Sequence, residues 1–340
     1  MDPILKWHLE ALFTKSPKSL PDSAPPPIEF WRQHGIAPYL YELGLELPSS
    51  WQKALHALVQ PAAIAEGLSA NLLSQTFDAF QRAGLKVLVV KGAALAQMLY
   101  PKPYTRVRCD ADLWIKPENR AEVDALLRQS GWLIKPTLTG ELVRHQQIYL
   151  HEDPFGHTHQ LDLHWSLFDR PALRPKFDFD SFYARSMEMP GWAVRVPNWS
   201  DHFLILLMHL GGHHANQVRL IWLLDLWLLR QKLDNESRQK LQSQCSKRPL
   251  SLYADPPLQY LAFLEGERLD FPEIKPSPEW QRVWDDLTSL SLPQKLVYLK
   301  ELACPSRVYM QNRYDPSGQK GLLSLYLLRW RRALAYLRRR

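Results

Sequence analysis

The sequence predicts a mixed α+β fold, a small mixed β-sheet flanked by helices, with helices before it and an all-helical region after it. Three observations lead there. Short apolar, β-branched stretches alternate with helical stretches over residues 84–197. The segments before and after are helical in period, with little strand pattern between them. The chain of 340 residues is 46% hydrophobic with 13 tryptophans, enough to bury a large core.

Residues 1–48 mix short amphipathic pieces with proline-rich connectors at Pro17, Pro21 and Pro25 to Pro27. Trp51 to Ala83 reads as helix with a break expected at Gln60-Pro61, because an interior proline lacks the N–H that the helix needs. Gly84 stands where that helix would stop, and "LKVLVV" follows as a buried strand. "GAALAQMLY" is a run of helix formers ending at Pro101, and "RCDADLWI" is the next strand. "PENRAEVDALLRQSGW" carries Pro117 at its first turn and Gly131 at its end, which marks both helix limits. Further strands are expected at 143–150 and 159–167. After Pro197, five segments are helical in period, with Ser200 and Asn235 as candidate N-caps. The expected division is an N-terminal helical region over 1–74, a catalytic domain over 75–197 and a helical domain over 198–340.

Composition excludes several classes. The net charge of +7 is concentrated at the C-terminus, where the last twelve residues hold six arginines and no acid. The body is close to neutral, so the charge describes a tail and not a nucleic-acid groove. Three widely spaced cysteines, Cys109, Cys245 and Cys304, give neither a disulfide framework nor a Cys-x-x-Cys metal pair. The start, "MDPILKWHLEALF", lacks the features of a secretory signal, and no apolar run is long enough to span a bilayer. A cytoplasmic location is expected. No nucleophile elbow, dinucleotide-binding glycine fingerprint or complete P-loop is present.

The acids in "DADLWI" carry the functional signal. Side chains alternate across a strand, so Asp110 and Asp112 project from one face while Cys109, Ala111 and Leu113 take the other. In "QLDLHW", Asp162 likewise alternates with Leu161 and Leu163. If the two strands are neighbours, three carboxylates converge. Such a group holds Mg²⁺ (or Mn²⁺) against a triphosphate. The alternative is a solvated sheet face. Upstream, Gly92 allows close backbone approach, the helix from Ala93 offers N–H groups suited to phosphate, and Lys91 adds a cation. Arg106 and Arg108 could reach phosphate, or simply charge a loop.

"VVKGAALAQMLYPKPYTRVRCDADLWI", with the later "HQLDLHW" and "RLIWLLDLWLL", resembles the uncharacterised bacterial nucleotidyltransferase family of the polymerase-beta-like superfamily over roughly residues 75–330. The resemblance implies a small mixed sheet and a phosphate loop at Gly92 and Ala93. It implies metal ligands Asp110 and Asp112, a third carboxylate at Asp162, and Arg106 as the family's arginine. It further implies transfer of a nucleoside monophosphate from a nucleoside triphosphate to an acceptor hydroxyl, with release of pyrophosphate. The acceptor is a small molecule, peptide, protein or RNA. The chain departs from the wider superfamily in Ala93, which offers no hydroxyl, and in a longer gap from Gly92 to Asp110.

Other residues carry weaker signals. "HEDPFGHTH" and "HLGGHH" could hold zinc, although the first fits a polar hairpin turn and glycines interrupt the second. His164 shares a face with Asp162, to order a ligand or to serve structure. Arg219 and Asp225 lie in a very apolar helix, as cleft residues or as part of a buried ion pair. The basic, aromatic C-terminal helix could contact an anionic surface. That feature supports a second function class, an inactive nucleotidyltransferase-fold binding module acting through its tail.

Overall fold

The computed structural model describes residues 2–14, 17, 24–135, 142, 144–214, 218–272, 279–315 and 318–338. Among the described residues four α-helices precede the sheet, α1 (Pro3–Leu9), which continues as a π-helical turn over Glu10–Thr14, α2 (Ile28–His34), α3 (Ala37–Glu42) and α4 (Ser49–Arg82). α4 runs unbroken through Pro61, contrary to the sequence expectation. Proline removes one helix hydrogen bond, but Pro61 lies on the exposed side of the helix. Trp51, Leu55 and Val59 before it and Leu73, Phe77 and Phe80 after it anchor both halves in the core.

Among the described residues seven strands form one sheet: β1 (Val87–Val90), β2 (Asp110–Ile115), β3 (Leu133–Lys135), β4 (Gln146–Glu152), β5 (Thr158–His164), β6 (Met187–Glu188) and β7 (Arg195–Val196). Their order is β3-β4-β5-β2-β1-β7-β6. β2–β5 and β1–β7 are parallel, and the other pairs are antiparallel. The fold is thus mixed α+β. The strand expected at 143–150 begins at Gln146, and residue 143 lies outside the described residues. α5 (Lys91–Met98) follows β1, and α6 (Arg120–Gln129) follows β2. Gly84 and Gly131, just past α4 and α6, adopt φ of 70° and 84°, the left-handed conformation that ends a helix cheaply only at glycine.

The period-2 alternation divides the sheet into two faces. Val87, Val89, Ala111, Leu113, Leu161 and Leu163 pack with Phe77 and Phe80 of α4 and Val123 and Leu127 of α6. On the other face Leu88, Val90 and Trp114 join a larger core. That core includes α8 (Trp199–His213), α9 (Leu220–Gln231) and α11 (Ser251–Leu264), as well as Trp31 and Trp51 from the N-terminal helices. Between strand and helical region lies α7 (Phe179–Ala184), and α10 (Asn235–Cys245) follows α9.

The caps of α8 and α10 fall earlier than expected. Asn198 accepts from Asp201 N–H and Asp234 accepts from Ser237 N–H, so Ser200 and Asn235 already lie inside their helices. α8 and α11 approach so closely that a Cβ on Gly211 would sit 1.7 Å from the Tyr253 carbonyl oxygen. Four further helices complete the described chain: α12 (Glu279–Ser289), α13 (Leu292–Ala303), α14 (Arg307–Tyr314) and α15 (Leu322–Arg338). No helix among the described residues is long and apolar enough to cross a membrane.

Candidate active site

The parallel pairing of β2 with β5 sets Asp112 directly opposite Asp162, with Asp110 opposite Gln160 and Trp114 opposite His164. All three aspartates line one cavity of about 550 Å³ between the sheet and helices α8 and α9. Asp112 and Asp162 are buried and Asp110 is half-buried.

Asp112 Oδ1 is the hub. It accepts from Lys91 Nζ at 2.7 Å and from His164 Nε2 at 2.8 Å. Burial alone would raise its pKa, but the Lys91 ammonium and the His164 hydrogen bond outweigh burial and hold it well below the usual carboxylate range. Asp162 goes the opposite way. Burial, then the charges of Asp112 and Asp110, push it up to about 7, against the hydrogen bond from Gln160 Nε2 at 2.9 Å. Gln146 Nε2 approaches its other oxygen at 3.3 Å. Asp110 is also raised, by burial and by Asp112. One carboxyl held low while its two neighbours are pushed up is the electrostatic state that like charges in a confined space adopt.

Lys91 enters the site from an unusual backbone. Its φ of 56° is left-handed, and among the described residues no other non-glycine has positive φ. Such conformations cost about 1–3 kcal/mol and persist where surrounding contacts hold them. Here the Lys91 N–H donates to His202 Nε2 at 2.9 Å, from the buried interior of α8. Burial lowers His202 to about 3, so its ring is neutral and can accept. α5 starts at this turn, and no side chain caps its first amides. Ala93 itself turns its methyl into the core.

Arg106 is placed behind Gly92. Its guanidinium would be in ordinary van der Waals contact, at 3.4–3.5 Å, with a Cβ there. Nε and Nη2 engage both oxygens of Asp225 at 2.6–3.0 Å, Nη1 donates to the Val107 carbonyl at 2.7 Å, and the Tyr100 hydroxyl donates to Asp225 at 2.7 Å. Asp225 therefore forms a buried ion pair, with Arg106 as its partner. Arg219 lines the cavity, and its Nε donates to the Gln33 carbonyl at 2.7 Å. Arg108 is committed to Glu66 and Ser69 of α4.

A divalent metal fits these residues. Ligand atoms of Asp112, Asp162 and His164 lie within 4.8 Å of one another, and buried His164 Nδ1 has no hydrogen-bond partner. Burial lowers His164 to about 4, keeping its ring neutral. Two carboxylates suit a hard cation, and a neutral imidazole adds a nitrogen donor. Asp110, expected as a ligand, stands beside this group on the same face. No second group of this kind occurs among the described residues. In the hairpin "HEDPFGHTH", His159 bonds Asp153 at 2.9 Å and Asp153 also accepts from Phe155 and His157 N–H, the work of a turn. His209 and His214 line the cavity with their rings 5.0 Å apart, while the His213 side chain lies outside the described residues.

A family model described as "Uncharacterised nucleotidyltransferase" matches residues 28–255. The chain belongs to this nucleotidyltransferase family. Comparison with curated proteins gives no match. Among solved structures, the solution structure of the antibiotic-resistance factor ANT(2'')-Ia is 16% identical, with a TM-score of 0.38, over 60% of this chain and all of that one. A crystal structure of ANT(2'')-Ia in complex with adenylyl-2''-tobramycin is 14% identical, with a TM-score of 0.37, over 51% of this chain and 94% of that one. An antigenic nucleotidyltransferase-like protein from Paracoccidioides brasiliensis is 15% identical, with a TM-score of 0.34, over 55% of this chain and 91% of that one.

Sequence reasoning did not find His202, Gln146 or Gln160, nor the Lys91–Asp112 contact. The only sequence signal for His202 is a lone histidine early in the apolar run "SDHFLILLMHL".

Proposed function

We propose that the chain is a metal-dependent nucleotidyltransferase that moves a nucleoside monophosphate from a nucleoside triphosphate to an acceptor hydroxyl and releases pyrophosphate. The observation that carries the proposal is the in-register pair Asp112 and Asp162 across β2 and β5, with Asp110 and His164 beside it in one cavity. Asp110, Asp112, Asp162 and His164 would hold the metal. When bound, Mg²⁺ or Mn²⁺ there neutralises phosphate charge and acidifies an attacking hydroxyl.

The residues of the chain do the rest. Asp162, opposite Asp112 at the floor of the cavity, takes the acceptor's proton. The acceptor oxygen bonds to the α-phosphorus as the bond to the bridging oxygen breaks, and pyrophosphate leaves with the electron pair. Lys91 and the first amides of α5, at Gly92 and Ala93, face the phosphates. Arg106 supports that turn from behind, held there by its ion pair with Asp225. In this scheme residues 75–197 form the catalytic domain, residues 1–74 brace it, and the helical domain over 198–340 walls the acceptor side with Trp222 and Arg219.

The test is thermal unfolding with ATP, GTP, CTP or UTP, each with Mg²⁺ and with EDTA, on the wild type and on Asp110→Asn/Asp112→Asn. A nucleotide at about 100 times its dissociation constant stabilises by roughly 2.7 kcal/mol. A metal-dependent shift with at least one nucleotide, lost in the double variant, is expected. No shift with any nucleotide in a folded protein would overturn the proposal.

A further inference from the structure

The C-terminal helices are inverted in polarity. α12 turns Arg282 and Asp286 inward, Asp286 at 0% exposure, and leaves Trp280 and Trp284 outside at 66% and 61%. The buried charges have partners: Asp286 bonds Arg170, the Ala172 N–H and the Tyr298 hydroxyl, and Arg282 donates to the carbonyls of Gly211 and Gly212. In α13, Tyr298 points in, while Leu292, Leu296 and Leu299 stand out at i, i+4 and i+7. In α15, Leu325 points in, while Leu323, Leu327 and Trp330 repeat the same outward spacing. Among the described residues, ten of the sixteen exposed large apolar side chains fall between 279 and 330. A soluble helix does the reverse, burying its apolar stripe.

These helices are locked together, so the outward stripes belong to a formed surface. Tyr298 ties α13 to α12, and Trp330 Nε1 and Arg329 donate to the carbonyls of Ala303 and Leu302 at the end of α13. The Trp330 indole N–H is thereby satisfied within the protein, while its ring remains outside.

Charge identifies the occupant. Residues 292–340 hold eleven Lys and Arg against two acids, Glu301 and Asp315, a net +9 where the whole chain is +7. Exposed Arg331 and Arg332 directly follow the α15 stripe. Exposed aliphatic stripes with tryptophans and arginines in the same helices match the interfacial zone of an anionic bilayer, where apolar side chains enter the acyl boundary and guanidinium groups meet headgroup phosphates. Nucleic acid would be met by stacking aromatics and not by rows of leucine. A second copy of this surface would bring two strongly positive faces together.

We propose that the outward faces of α13 and α15, with the α12 tryptophans, dock the protein peripherally on an anionic phospholipid membrane. The experiment is co-sedimentation of the full chain with vesicles of phosphatidylcholine alone or doped with phosphatidylglycerol, alongside size-exclusion chromatography and binding to a single-stranded RNA. The variants are Leu323→Glu/Leu327→Glu and Arg331→Gln/Arg332→Gln. Leu323 and Leu327 are exposed, and circular dichroism confirms that each variant folds. The expected result is binding to the anionic vesicles only, weakened by salt and reduced at least about tenfold in both variants. Three results would each overturn the proposal: absence of binding to anionic vesicles, a stable dimer that the leucine variant dissolves without any vesicle binding, or RNA binding in place of vesicle binding.

Discussion

Replacing Asp162 by asparagine should make the protein more stable, by an amount that depends on pH. Burial and the two neighbouring aspartates raise its pKa from the ordinary 3.8 to about 7. At about 1.4 kcal/mol per pKa unit, that amounts to roughly 4 kcal/mol. The direction follows from linkage. A carboxyl with raised folded pKa contributes stability as the acid below about pH 4, and that contribution is lost as pH rises through about 7. The substituted amide carries no charge at any pH, so nothing is lost on that rise. It keeps the acceptor for Gln160 but gives up the weak contact with Gln146, a cost of about 1 kcal/mol. In denaturant titrations with EDTA, Asp162→Asn should therefore exceed the wild type by about 3 kcal/mol near pH 8, and the difference should close toward about pH 4. Nucleotidyl transfer should be lost at the same time. Equal stability at the alkaline end, or a gap independent of pH, would refute the electrostatic account of the site.

Two further substitutions probe the frame around it. Gly211→Ala places a methyl 1.7 Å from the Tyr253 carbonyl oxygen, so α8 and α11 must part, at about 3 kcal/mol or more; an unchanged melting temperature would show that the helices are not in that contact. Asp225→Ala leaves the Arg106 guanidinium buried beside the Tyr100 hydroxyl without its counter-charge. That should cost about 3–5 kcal/mol, read by calorimetry, and a loss below about 1 kcal/mol would mean that Arg106 finds solvent.

The strand-borne part of the site was legible because it depends on a local rule. Alternation alone puts Asp110 and Asp112 on one face, and the same rule applied to "QLDLHW" exposes Asp162 and His164 together. What joins the strands is not local. Arg106 meets Asp225 across 119 residues and Lys91 meets His202 across 111, and no spacing in the chain announces either pair. The two-residue strands β6 and β7 owe their conformation to their partners. The region from 267 to 323 yielded no helices to periodicity, yet α12, α13 and α14 lie there. In α12 and α13 the usual inference fails for a physical reason, since their apolar residues face out and Arg282, Asp286 and Tyr298 face in. Pro61 misled for the opposite reason: tertiary packing on both sides outweighed a local penalty.

The opposition of Asp112 and Asp162 in a parallel ladder makes the candidate site a detector of correct strand alignment. A slip of β5 by one residue would turn Asp162 and His164 into the apolar layer against α4 and α6, and bring Leu161 and Leu163 into the cavity. Misaligned molecules would then be both unstable and inert. β5 is held in that register from both sides, by β2 through Asp110 to Trp114 and by β4 through the continuous hairpin from Gln146 to Glu152.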